Sequence, residues 1–418
     1  MWGNVSFSAN RASFLFIVLN TRLSGGWRIC TNLQMGRKAN LYIRILIAAL
    51  HYKCVIRCDW LLMMRKKILV VPLDWGLGHA TRCIPVIREL LASGHEVLIV
   101  GEGAVVFLLQ EEFPQMKTIP LRGYRLRYSH MVPAWLKTIF MLPNIIFRMW
   151  AEHSQLKKII AGHNIDVVIS DNRFGLWNKK IRSVYITHQV MIKCPNGLKS
   201  LEPLLHWMHK WVIKKYDHCW IPDYAGASNI SGDLAHQYPI LENVTFINPL
   251  SRFTFKEEAI KREYDLCFII SGPEPSRSDF EKIILAELNG YQGKAIVILG
   301  KPGNNRDETC GNTRVVSHLR SKDLEEIIAA SGLVICRSGY SGIMDLVAMK
   351  KDAFLVPTPG QTEQEYLAEY LSSKKVFAWC TQAHFSLKNI KSGPDFSVQN
   401  MDKLQLGSSL LVDAIKQL

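Results

Sequence analysis

Residues 333–345 have the sequence LVICRSGYSGIMD, and residues 353–366 have the sequence AFLVPTPGQTEQEY. Each begins with a short apolar run typical of a buried parallel strand, followed by a turn of small and polar residues and then a helical pattern. Backbone N–H groups at the beginning of two neighbouring helices favour a negatively charged ligand such as phosphate. The two stretches therefore predict an open α/β sheet that binds a nucleotide at the carboxyl ends of its strands.

Both stretches resemble the donor-binding half of glycosyltransferase family 28. This family includes the N-acetylglucosaminyltransferase that completes the lipid-linked precursor of peptidoglycan. The resemblance is strongest over 264–372 and looser over 64–250. It implies an α/β protein of the GT-B fold, in which two doubly wound Rossmann-like domains face a cleft. It also implies a UDP-sugar as co-substrate, a single-displacement inverting transfer, and no bound metal or other cofactor.

The resemblance further implies roles for individual residues of the donor site. The residues expected to face the donor diphosphate are Arg337, Ser338, Gly339, Ser341 and Gly342. Asp345 lies where the family has a glutamate that holds the ribose hydroxyls, and the shorter Asp has less reach. Gln364 and Glu365 lie where the family has two glutamines that contact the donor sugar. Because a carboxylate replaces the second amide, the resemblance does not fix which sugar is bound.

The composition limits the classes of protein to consider. The chain has 418 residues and a net charge of +15, and a chain of this length forms two domains by default. Residues 1–63 contain eight Lys/Arg and one acidic residue, so they contribute +7 of this charge. A basic surface favours anionic partners such as nucleotide phosphates or anionic lipid, although a solvated basic face is an equally simple explanation. No RNA-binding signature is present, so nucleic acid is not expected as a partner.

The cysteines and the first 63 residues bear on compartment and domain organisation. The ten cysteines form no C-x-x-C pair and no zinc-ligand spacing, which favours a reducing, cytoplasmic compartment.

Residues 1–63 contain no apolar run that is long enough and free enough of charge to span a bilayer. Since the sequence MMRKK at 63–67 precedes the first strand pattern, we predict that residues 1–63 are an extension outside the fold. A basic membrane-surface segment is the alternative.

Alternating strand and helix patterns predict two α/β halves. In the first half, strands are predicted over 68–73, 97–100, 166–170 and 183–187, with a helix over 80–93. In the second half, strands are predicted over 264–270, 295–300, 333–336 and 353–356, with helices over 280–288 and 324–330. The expected domains are an acceptor-side domain over 64–250, a nucleotide-sugar domain over 251–385, and a tail over 386–418 that could pack back on the first domain. A linker is expected over 246–258.

Gly76, Gly78 and His79 lie in the turn after the first predicted strand. Glycines in such a turn let the backbone approach a phosphate or a sugar closely. His79 is a candidate for the general base that takes the proton of an acceptor hydroxyl, and the alternative is a histidine that only caps the turn. Arg82, one helical turn further on, is expected to bind an anion or to pair with an acid.

Polar residues also follow three other predicted strands. Asp171 is expected to orient the base or to bind an acceptor hydroxyl, and a loop-capping role is the alternative. His188 is expected to contact the acceptor or an anion. Ser271 and Gly272 end the first strand of the second half, where their N–H groups would meet the diphosphate with Arg277 as a charge partner; a plain tight turn is the alternative.

Three functions remain open from the sequence. The leading hypothesis is a glycosyltransferase that moves a hexose or N-acetylhexosamine from a UDP-sugar to a hydroxyl of an acceptor glycan or glycolipid. The pattern G-x-G-H-x-x-R over 76–82 also resembles nucleotide-sugar hydrolases of the pseudaminic acid pathway, which use water in place of the acceptor. A non-catalytic sugar-nucleotide-binding protein is the third. No Asp-x-Asp loop or zinc-type histidine pair indicates a metal site.

Residues 121–160 combine basic and aromatic side chains and predict amphipathic helices with a basic side. The residues on which this rests are Arg122, Arg125, Arg127, Lys137, Arg148, Lys157 and Lys158, together with Trp135, Phe140, Ile145, Ile146, Phe147 and Trp150. Such helices suit an anionic bilayer surface, so we predict a peripheral enzyme at the cytoplasmic face of a membrane. The alternative is that the apolar face is core and the cations are solvated.

Overall fold

The computed structural model describes residues 65–74, 76–121, 134–195, 197–254, 261–390, 395–401 and 409–418; for 134–145 and 409 it describes the backbone alone. Residues 1–64 lie outside this set, so the prediction of an N-terminal extension stays a prediction. The described residues contain two seven-stranded sheets. We call residues 65–254 the N-terminal half and residues 261–401 the C-terminal half.

The sheet of the N-terminal half is parallel throughout and has the order β3-β2-β1-β4-β5-β6-β7. Its strands are β1 (Lys67–Val71), β2 (Glu96–Gly101), β3 (Thr118–Pro120), β4 (Val167–Asp171), β5 (Arg182–Ile186), β6 (His218–Ile221) and β7 (Val244–Phe246). Its helices are α1 (Leu77–Ala92), α2 (Gly103–Glu112), α3 (Ala134–His163), α4 (Glu202–Ile213) and α5 (Asp233–His236). The central strands are almost wholly buried, as expected when helices cover both faces.

The sheet of the C-terminal half has the order β10-β11-β9-β8-β12-β13-β14, and only the β10–β11 pair is antiparallel. Its strands are β8 (Tyr264–Ile269), β9 (Ala295–Ile298), β10 (Asp307–Cys310), β11 (Thr313–Val316), β12 (Ser331–Cys336), β13 (Ala353–Leu355) and β14 (Ala378–Trp379). Its helices are α6 (Ser276–Glu287), α7 (Ser321–Ala329), α8 (Tyr340–Ala348) and α9 (Thr362–Ser373). Short 3-10 turns lie at Lys199–Leu201, Gln382–His384, Leu387–Asn389 and Val398–Asn400.

The two stretches that predicted the nucleotide edge are adjacent in the sheet. β12 and β13 pair in parallel, with Val334 opposite Ala353 and Cys336 opposite Leu355. Their carboxyl ends therefore meet at one edge, and α8 and α9 both begin there. This is the arrangement that the strand-turn-helix patterns predicted.

Several predicted boundaries shift by a few residues. α1 begins at Leu77 rather than at 80, because the turn after Gly76 is already helical. α6 and α7 begin at Ser276 and Ser321, each with an acid in its first turn, where it interacts favourably with the helix dipole. In place of several helices over 121–160, the described residues show one helix, α3.

The last helix, α10 (Ser409–Lys416), packs against α1 of the N-terminal half. Its buried side chains Leu411, Ala414 and Ile415 belong to the same apolar cluster as Ile84 and Ile87 of α1. In addition, the ammonium group of Lys66 contacts the carbonyl of Leu418. The C-terminal segment of the chain thus returns to the N-terminal half.

Candidate active site

A cavity of about 1030 Å³ lies between the carboxyl ends of the two sheets. The N-terminal half contributes the turn at Gly76–His79 and the segment after β5, and the C-terminal half contributes the segments after β8, β9, β12 and β13. Most of the predicted site residues line it: Gly76, Gly78, His79, Arg82, His188, Ser271, Gly272, Arg337, Gly339, Ser341, Gly342, Asp345 and Gln364. In open α/β sheets, ligands bind at this end of the strands.

His79 and Asp171 form a hydrogen-bonded pair in the N-terminal half. The imidazole Nδ1 of His79 is 2.8 Å from Oδ2 of Asp171, which is fully buried at the end of β4. Arg82 Nε donates to the other oxygen, Oδ1, over 2.7 Å, and the Arg82 side chain is also buried. The pairing with an acid predicted for Arg82 is present, and Asp171 is placed to orient His79 rather than to cap a loop.

The pKa values in this cluster favour a neutral His79 beside an ionised Asp171. Burial and the nearby Arg82 cation lower the pKa of His79, and the attraction of Asp171 only partly opposes them. Burial alone would raise the pKa of Asp171, but the combined attraction of Arg82 and His79 outweighs it and lowers that pKa. A neutral imidazole beside a carboxylate has the composition of a general base and its orienting group.

His188 connects this cluster to the opposite half. Its Nδ1 is 3.0 Å from Arg82 NH1, and its Nε2 is 2.7 Å from Oε1 of Glu363 at the beginning of α9. The ring also stacks on Tyr340, the first residue of α8, with ring centres 4.2 Å apart. His188 therefore contacts groups of the protein from both halves rather than standing free as an anion contact.

Further contacts hold the two halves against each other. Ser341 Oγ donates to the carbonyl of Gly78 over 2.8 Å, and Tyr340 Oη donates to the carbonyl of Pro222 over 2.9 Å. A Cβ atom built on Gly78 would lie 3.1 Å from Ser341 Oγ, so the glycine permits a close approach of α1 and α8. Deeper in α9, Tyr370 Oη donates to Oδ1 of Asn229 over 2.8 Å. The cleft is closed in this structure.

In the C-terminal half, the beginning of α8 borders the cavity. Gly339 is its N-cap, and Gly339, Ser341 and Gly342 line the cavity. The first N–H groups of a helix have no partner within the helix and suit an anion. Ser338 has a different position, because its side chain is fully buried and its Oγ donates to the carbonyl of Gln364 over 2.7 Å. Ser338 thus joins the α8 turn to α9.

Arg337 is buried, and its guanidinium is bound to the C-terminal half itself. NH1 donates to the carbonyls of Val356 and Pro357 over 3.2 Å each, and NH2 donates to the carbonyl of Ser276 over 2.9 Å. The guanidinium also lies 4.2 Å above the ring of Phe280. Burial lowers the pKa of Arg337 to about 10. Although its side chain reaches the cavity wall, its main contacts join the segments after β12 and β13 to α6.

Asp345 is buried at the inner end of the cavity, next to the segment that joins the two halves. Its Oδ1 accepts from Ser251 Oγ over 2.7 Å, and its Oδ2 is 3.4 Å from Arg252 Nε. Burial raises the pKa of Asp345, and the attraction of Arg252 offsets part of this effect. The carboxylate predicted to hold the ribose therefore already has two partners from the linking segment.

The cavity wall at the beginning of α9 contains a carboxylate, but it is not the predicted one. Glu363 and Gln364 line the cavity, whereas Glu365 is absent from its lining. The Glu365 carboxylate turns back and accepts from the N–H of Gly360 over 3.0 Å. Sequence reasoning missed Glu363 because it compared only the two positions of the family's glutamine pair.

The segment after β8 also reaches the cavity through Ser271, Gly272 and Arg277. Gly272 has a φ of 106°, a conformation that favours glycine. Arg277 donates to the carbonyl of Gly300 over 3.0 Å and pairs with Glu274, so its charge is already partly neutralised. These contacts leave the Ser271–Gly272 turn itself facing the cavity.

A further apolar part of the cavity was not predicted. It is formed by Leu319, after β11, and by Leu324 and Ile328 of α7. His318, beside Leu319, is 3.5 Å from Oε2 of Glu111 on α2, so this end is also bounded by both halves. Among the described residues, the N–H and C=O groups of Leu319 have no hydrogen-bond partner.

The N-terminal half also has an exposed aromatic face outside the cavity. We define the aromatic face as Ile146, Phe147 and Trp150 of α3, Trp177, and Leu204, Trp207 and Trp211 of α4. Phe147, Trp150 and Trp207 are 70%, 69% and 64% exposed. Trp177 lies between the two helices: its ring centre is 4.3 Å from that of His153 of α3, with the rings tilted by 37°, and it lies under Lys215 just beyond α4, as Trp211 does.

Part of the predicted membrane segment lies outside the described residues. This applies to Arg122, Arg125 and Arg127, and to the side chains of Trp135, Lys137, Phe140 and Ile145. Lys157 and Lys158 are exposed. In the described part of the chain, none of the helices is both long enough and apolar enough to cross a membrane. Nor do three or more His, Cys, Asp or Glu side chains of that part gather in a metal-binding arrangement.

The C-terminal half matches a known domain. Residues 287–405 match the glycosyltransferase family 28 C-terminal domain. The predicted resemblance to that family is confirmed.

Relatives of similar length point to the same class of enzyme. An uncharacterised glycosyltransferase of Methanosarcina acetivorans is 22% identical over 72% of this chain and 81% of its own length. The UDP-N-acetylglucosamine--N-acetylmuramyl-(pentapeptide) pyrophosphoryl-undecaprenol N-acetylglucosamine transferase of Haemophilus ducreyi is 21% identical over 78% of this chain and 88% of its own length.

Solved structures test the predicted architecture. The glycotransferase of kitacinnamycin superimposes with a TM-score of 0.58 at 14% identity, over 85% of this chain and 99% of its own. The glycosyltransferase SnogD from Streptomyces nogalater superimposes with a TM-score of 0.55 at 12% identity, over 85% of this chain and 100% of its own. The predicted GT-B fold is therefore confirmed. Family match, relatives and fold together support a glycosyltransferase.

Proposed function

We propose that the protein transfers a hexose or N-acetylhexosamine from a UDP-sugar to an acceptor hydroxyl, with inversion at the anomeric carbon. The observation that carries this proposal is the position of the His79–Asp171 pair, whose histidine lines the same cavity as the beginning of α8. A base on one wall and an anion-binding helix terminus on the other are the two groups that a direct displacement requires.

The donor would extend along the C-terminal wall. Its base would lie against Leu319, Leu324 and Ile328, with the free N–H and C=O of Leu319 available to the edge of uracil. The ribose hydroxyls would reach Asp345, and the diphosphate would meet the N–H groups of the α8 terminus and of the Ser271–Gly272 turn. The sugar would then lie near Glu363 and Gln364, between α8 and His79.

In the chemical step, the neutral Nε2 of His79 would take the proton of the acceptor hydroxyl. The freed oxygen would attack the anomeric carbon from the face opposite the diphosphate, while the bond from this carbon to the phosphate oxygen breaks and UDP leaves. Asp171 would stabilise the imidazolium that forms. The helix N-terminus would stabilise the negative charge that develops on the leaving diphosphate. We expect this step to need no metal ion.

We also propose that the acceptor is a glycolipid presented at an anionic membrane surface, on the cytoplasmic side. The aromatic face supports this, because Phe147, Trp150 and Trp207 are 70%, 69% and 64% exposed, and large aromatic side chains exposed to this extent suit a membrane surface. The cations Lys157, Lys158 and Lys214 are exposed on the same two helices or just beyond them. Aromatic and basic groups together suit the headgroup region of a bilayer.

The proposed function is tested by following products rather than UDP release alone. The full chain is incubated with UDP-glucose, UDP-galactose and UDP-N-acetylglucosamine, each with and without a membrane-lipid extract. We expect sugar to enter the lipid fraction with one of these donors, and the new linkage to have the inverted configuration by NMR. Release of free sugar at the same rate without lipid would favour the hydrolase instead. No turnover and no binding of UDP by calorimetry would contradict the donor assignment.

A further inference from the structure

Arg82 lies at the centre of the acceptor-side cluster. Its contacts limit which ring nitrogens of two histidines can carry a proton. Its guanidinium contacts Oδ1 of Asp171 through Nε at 2.7 Å, Nδ1 of His188 through NH1 at 3.0 Å, and Nδ1 of His79 through NH2 at 2.6 Å. A guanidinium only donates hydrogen bonds, and an ionised carboxylate only accepts them. An imidazole nitrogen near Arg82 can therefore accept a hydrogen bond from it only when that nitrogen carries no proton.

His79 faces both kinds of partner at the same nitrogen. Its Nδ1 is 2.8 Å from the Asp171 carboxylate and 2.6 Å from the Arg82 guanidinium, and it can satisfy only one of them at a time. If Nδ1 carries the proton and donates to Asp171, then Nε2 has a free lone pair and can act as a base. If Nδ1 accepts from Arg82, then Nε2 carries the proton and cannot act as a base.

In His188 the position of the proton is fixed, because one ring nitrogen faces a carboxylate from the other half. Its Nε2 is 2.7 Å from Oε1 of Glu363, so Nε2 carries the proton and Nδ1 is left to accept from Arg82. Burial would raise the pKa of Glu363, but the combined attraction of His188, Arg82 and His79 lowers it, so the carboxylate is ionised. Stacking on Tyr340 holds the His188 ring in this orientation.

We propose that Glu363 is a positioning residue that sets the catalytic tautomer of His79 through His188 and Arg82. With Glu363 in place, His188 Nδ1 accepts from NH1 and holds the guanidinium in position, and His79 keeps its Nδ1 proton for Asp171. Without it, His188 can take the proton on Nδ1, which repels NH1; the guanidinium then shifts toward His79, whose Nδ1 accepts from NH2 instead. This inference rests on the proposed function, since it takes His79 as the base.

The arrangement couples the base to the donor side. Glu363 lies in the first turn of α9, the helix that adjoins the sugar end of the cavity, and reaches His188 only across the closed cleft. The charged and titratable groups that face His79 are Arg82 from α1, Asp171 from β4, His188 after β5, and Glu363 from α9. Removing the negative charge of Glu363 should therefore lower the pKa of His79 further.

The test is the Glu363→Gln variant, compared with Glu369→Gln. The amide introduced at this position can either accept from His188 Nε2 or donate to it, so it no longer fixes the tautomer. Glu369 is an exposed carboxylate on the same helix and serves as the matched control. For Glu363→Gln we expect kcat to fall by about tenfold, which is less than the roughly 10²–10⁴-fold that a general base contributes, because His79 itself is still present. We expect the acid limb of the kcat/KM profile to move to lower pH, and UDP affinity to stay near that of the wild type.

A second readout is the imidazole nitrogen-15 spectrum of the UDP-bound full chain. In the wild type, we expect the proton of His188 on Nε2 and that of His79 on Nδ1, and in Glu363→Gln a mixture of tautomers for both. An increase in KM alone, with kcat and the pH profile unchanged, would overturn the inference and leave Glu363 as an ordinary sugar contact. A wild-type His188 that carries its proton on Nδ1 would overturn it as well.

A His79→Ala variant measured in parallel separates this inference from the proposed function. If His79→Ala is inactive while Glu363→Gln is unchanged, the base assignment stands and the inference alone is overturned. If His79→Ala turns over normally, the base assignment fails and the inference fails with it.

Discussion

The two walls of the cavity differ in the groups that carry their charge: ionised side chains on one wall and a helix N-terminus on the other. On the N-terminal wall, buried ionised side chains face one another, with Asp171 held between His79 and Arg82. On the C-terminal wall, the beginning of α8 reaches the cavity through Gly339, Ser341 and Gly342, and the buried cation Arg337 is bound to carbonyls of its own half. One wall has a prearranged network of ionised side chains, and the other has a helix N-terminus at which we propose that the diphosphate binds.

This difference corresponds to two different tasks. A proton acceptor must have a defined tautomer and a pKa suited to its work, so it needs neighbouring charges at fixed distances. A diphosphate already carries its charge, and a helix terminus can bind it without any ionised side chain. If the comparison is right, changes on the N-terminal wall should reduce turnover, and changes on the C-terminal wall should weaken donor binding.

The largest effect is expected for His79→Ala. Loss of the general base should lower kcat by about a hundredfold or more, while the affinity for UDP stays near normal, because His79 lies on the wall opposite the donor. Steady-state kinetics and calorimetry measure the two quantities, and His163→Ala, an exposed histidine at the end of α3, is the control. A variant that loses UDP binding but keeps its turnover at saturation would place His79 in the donor site.

Asp345→Ala should have the opposite effect to His79→Ala, because it should change UDP affinity rather than kcat. Removing the carboxylate expected to hold the ribose should weaken UDP binding by roughly 1.5–3 kcal/mol, the usual contribution of a hydrogen bond to a charged group. Calorimetry measures this, with the exposed Asp413→Ala as control. Because Ser251 already occupies one oxygen, Ser251→Ala should leave UDP affinity unchanged or increase it. UDP affinity that does not respond to Asp345→Ala would remove the ribose assignment.

A smaller effect is expected on the aromatic face. Trp150→Ser combined with Trp207→Ser should reduce co-sedimentation with anionic vesicles several-fold, since each buried aromatic side chain adds to the affinity for the interface. Binding by the unmodified chain should fall as salt increases, because each cation near the surface contributes about 1 kcal/mol. Phe107→Ser, an exposed aromatic residue on α2, is the matched control. If the full chain does not co-sediment with anionic vesicles at low salt, the result would indicate a soluble acceptor.

No effect at all is expected from removal of divalent metal ions. Because the α8 terminus would stabilise the leaving diphosphate, turnover after treatment with EDTA should equal that of the untreated protein. Turnover that disappears with EDTA and returns with magnesium would show that the diphosphate needs a metal ion and that the backbone site is insufficient.

The donor wall was largely predictable from sequence because its features are local. β12, the turn at Arg337–Gly339 and α8 follow one another directly along the chain, and β13 of the second strand-turn-helix unit begins soon after, at Ala353. Strand ends and helix beginnings in so short a stretch determine where the N–H groups lie. The same locality explains why these units carry the family resemblance, which implied the GT-B fold that the structure confirms.

The network on the acceptor wall was only partly predictable, because it depends on contacts between distant residues. His79 and Asp171 are 92 positions apart, and His188 and Glu363 are 175 positions apart. Each was a plausible single residue, but the pairing depends on sheet order and cleft closure. Helix α4 was not predicted, although Leu204, Trp207 and Trp211 have helical spacing; in the structure this apolar stripe is exposed rather than part of the core.

The most direct test of the central claim, that a neutral His79 is the base, is the pH dependence of kcat/KM. Since burial and Arg82 lower the pKa of His79 from 6.5, the active unprotonated form should persist below pH 6.5 and be lost as the pH falls through this lowered pKa. We expect an acid limb with an apparent pKa below 6.5, which disappears from the residual activity of His79→Ala. An acid limb above 6.5, or one that persists unchanged in His79→Ala, would contradict this account.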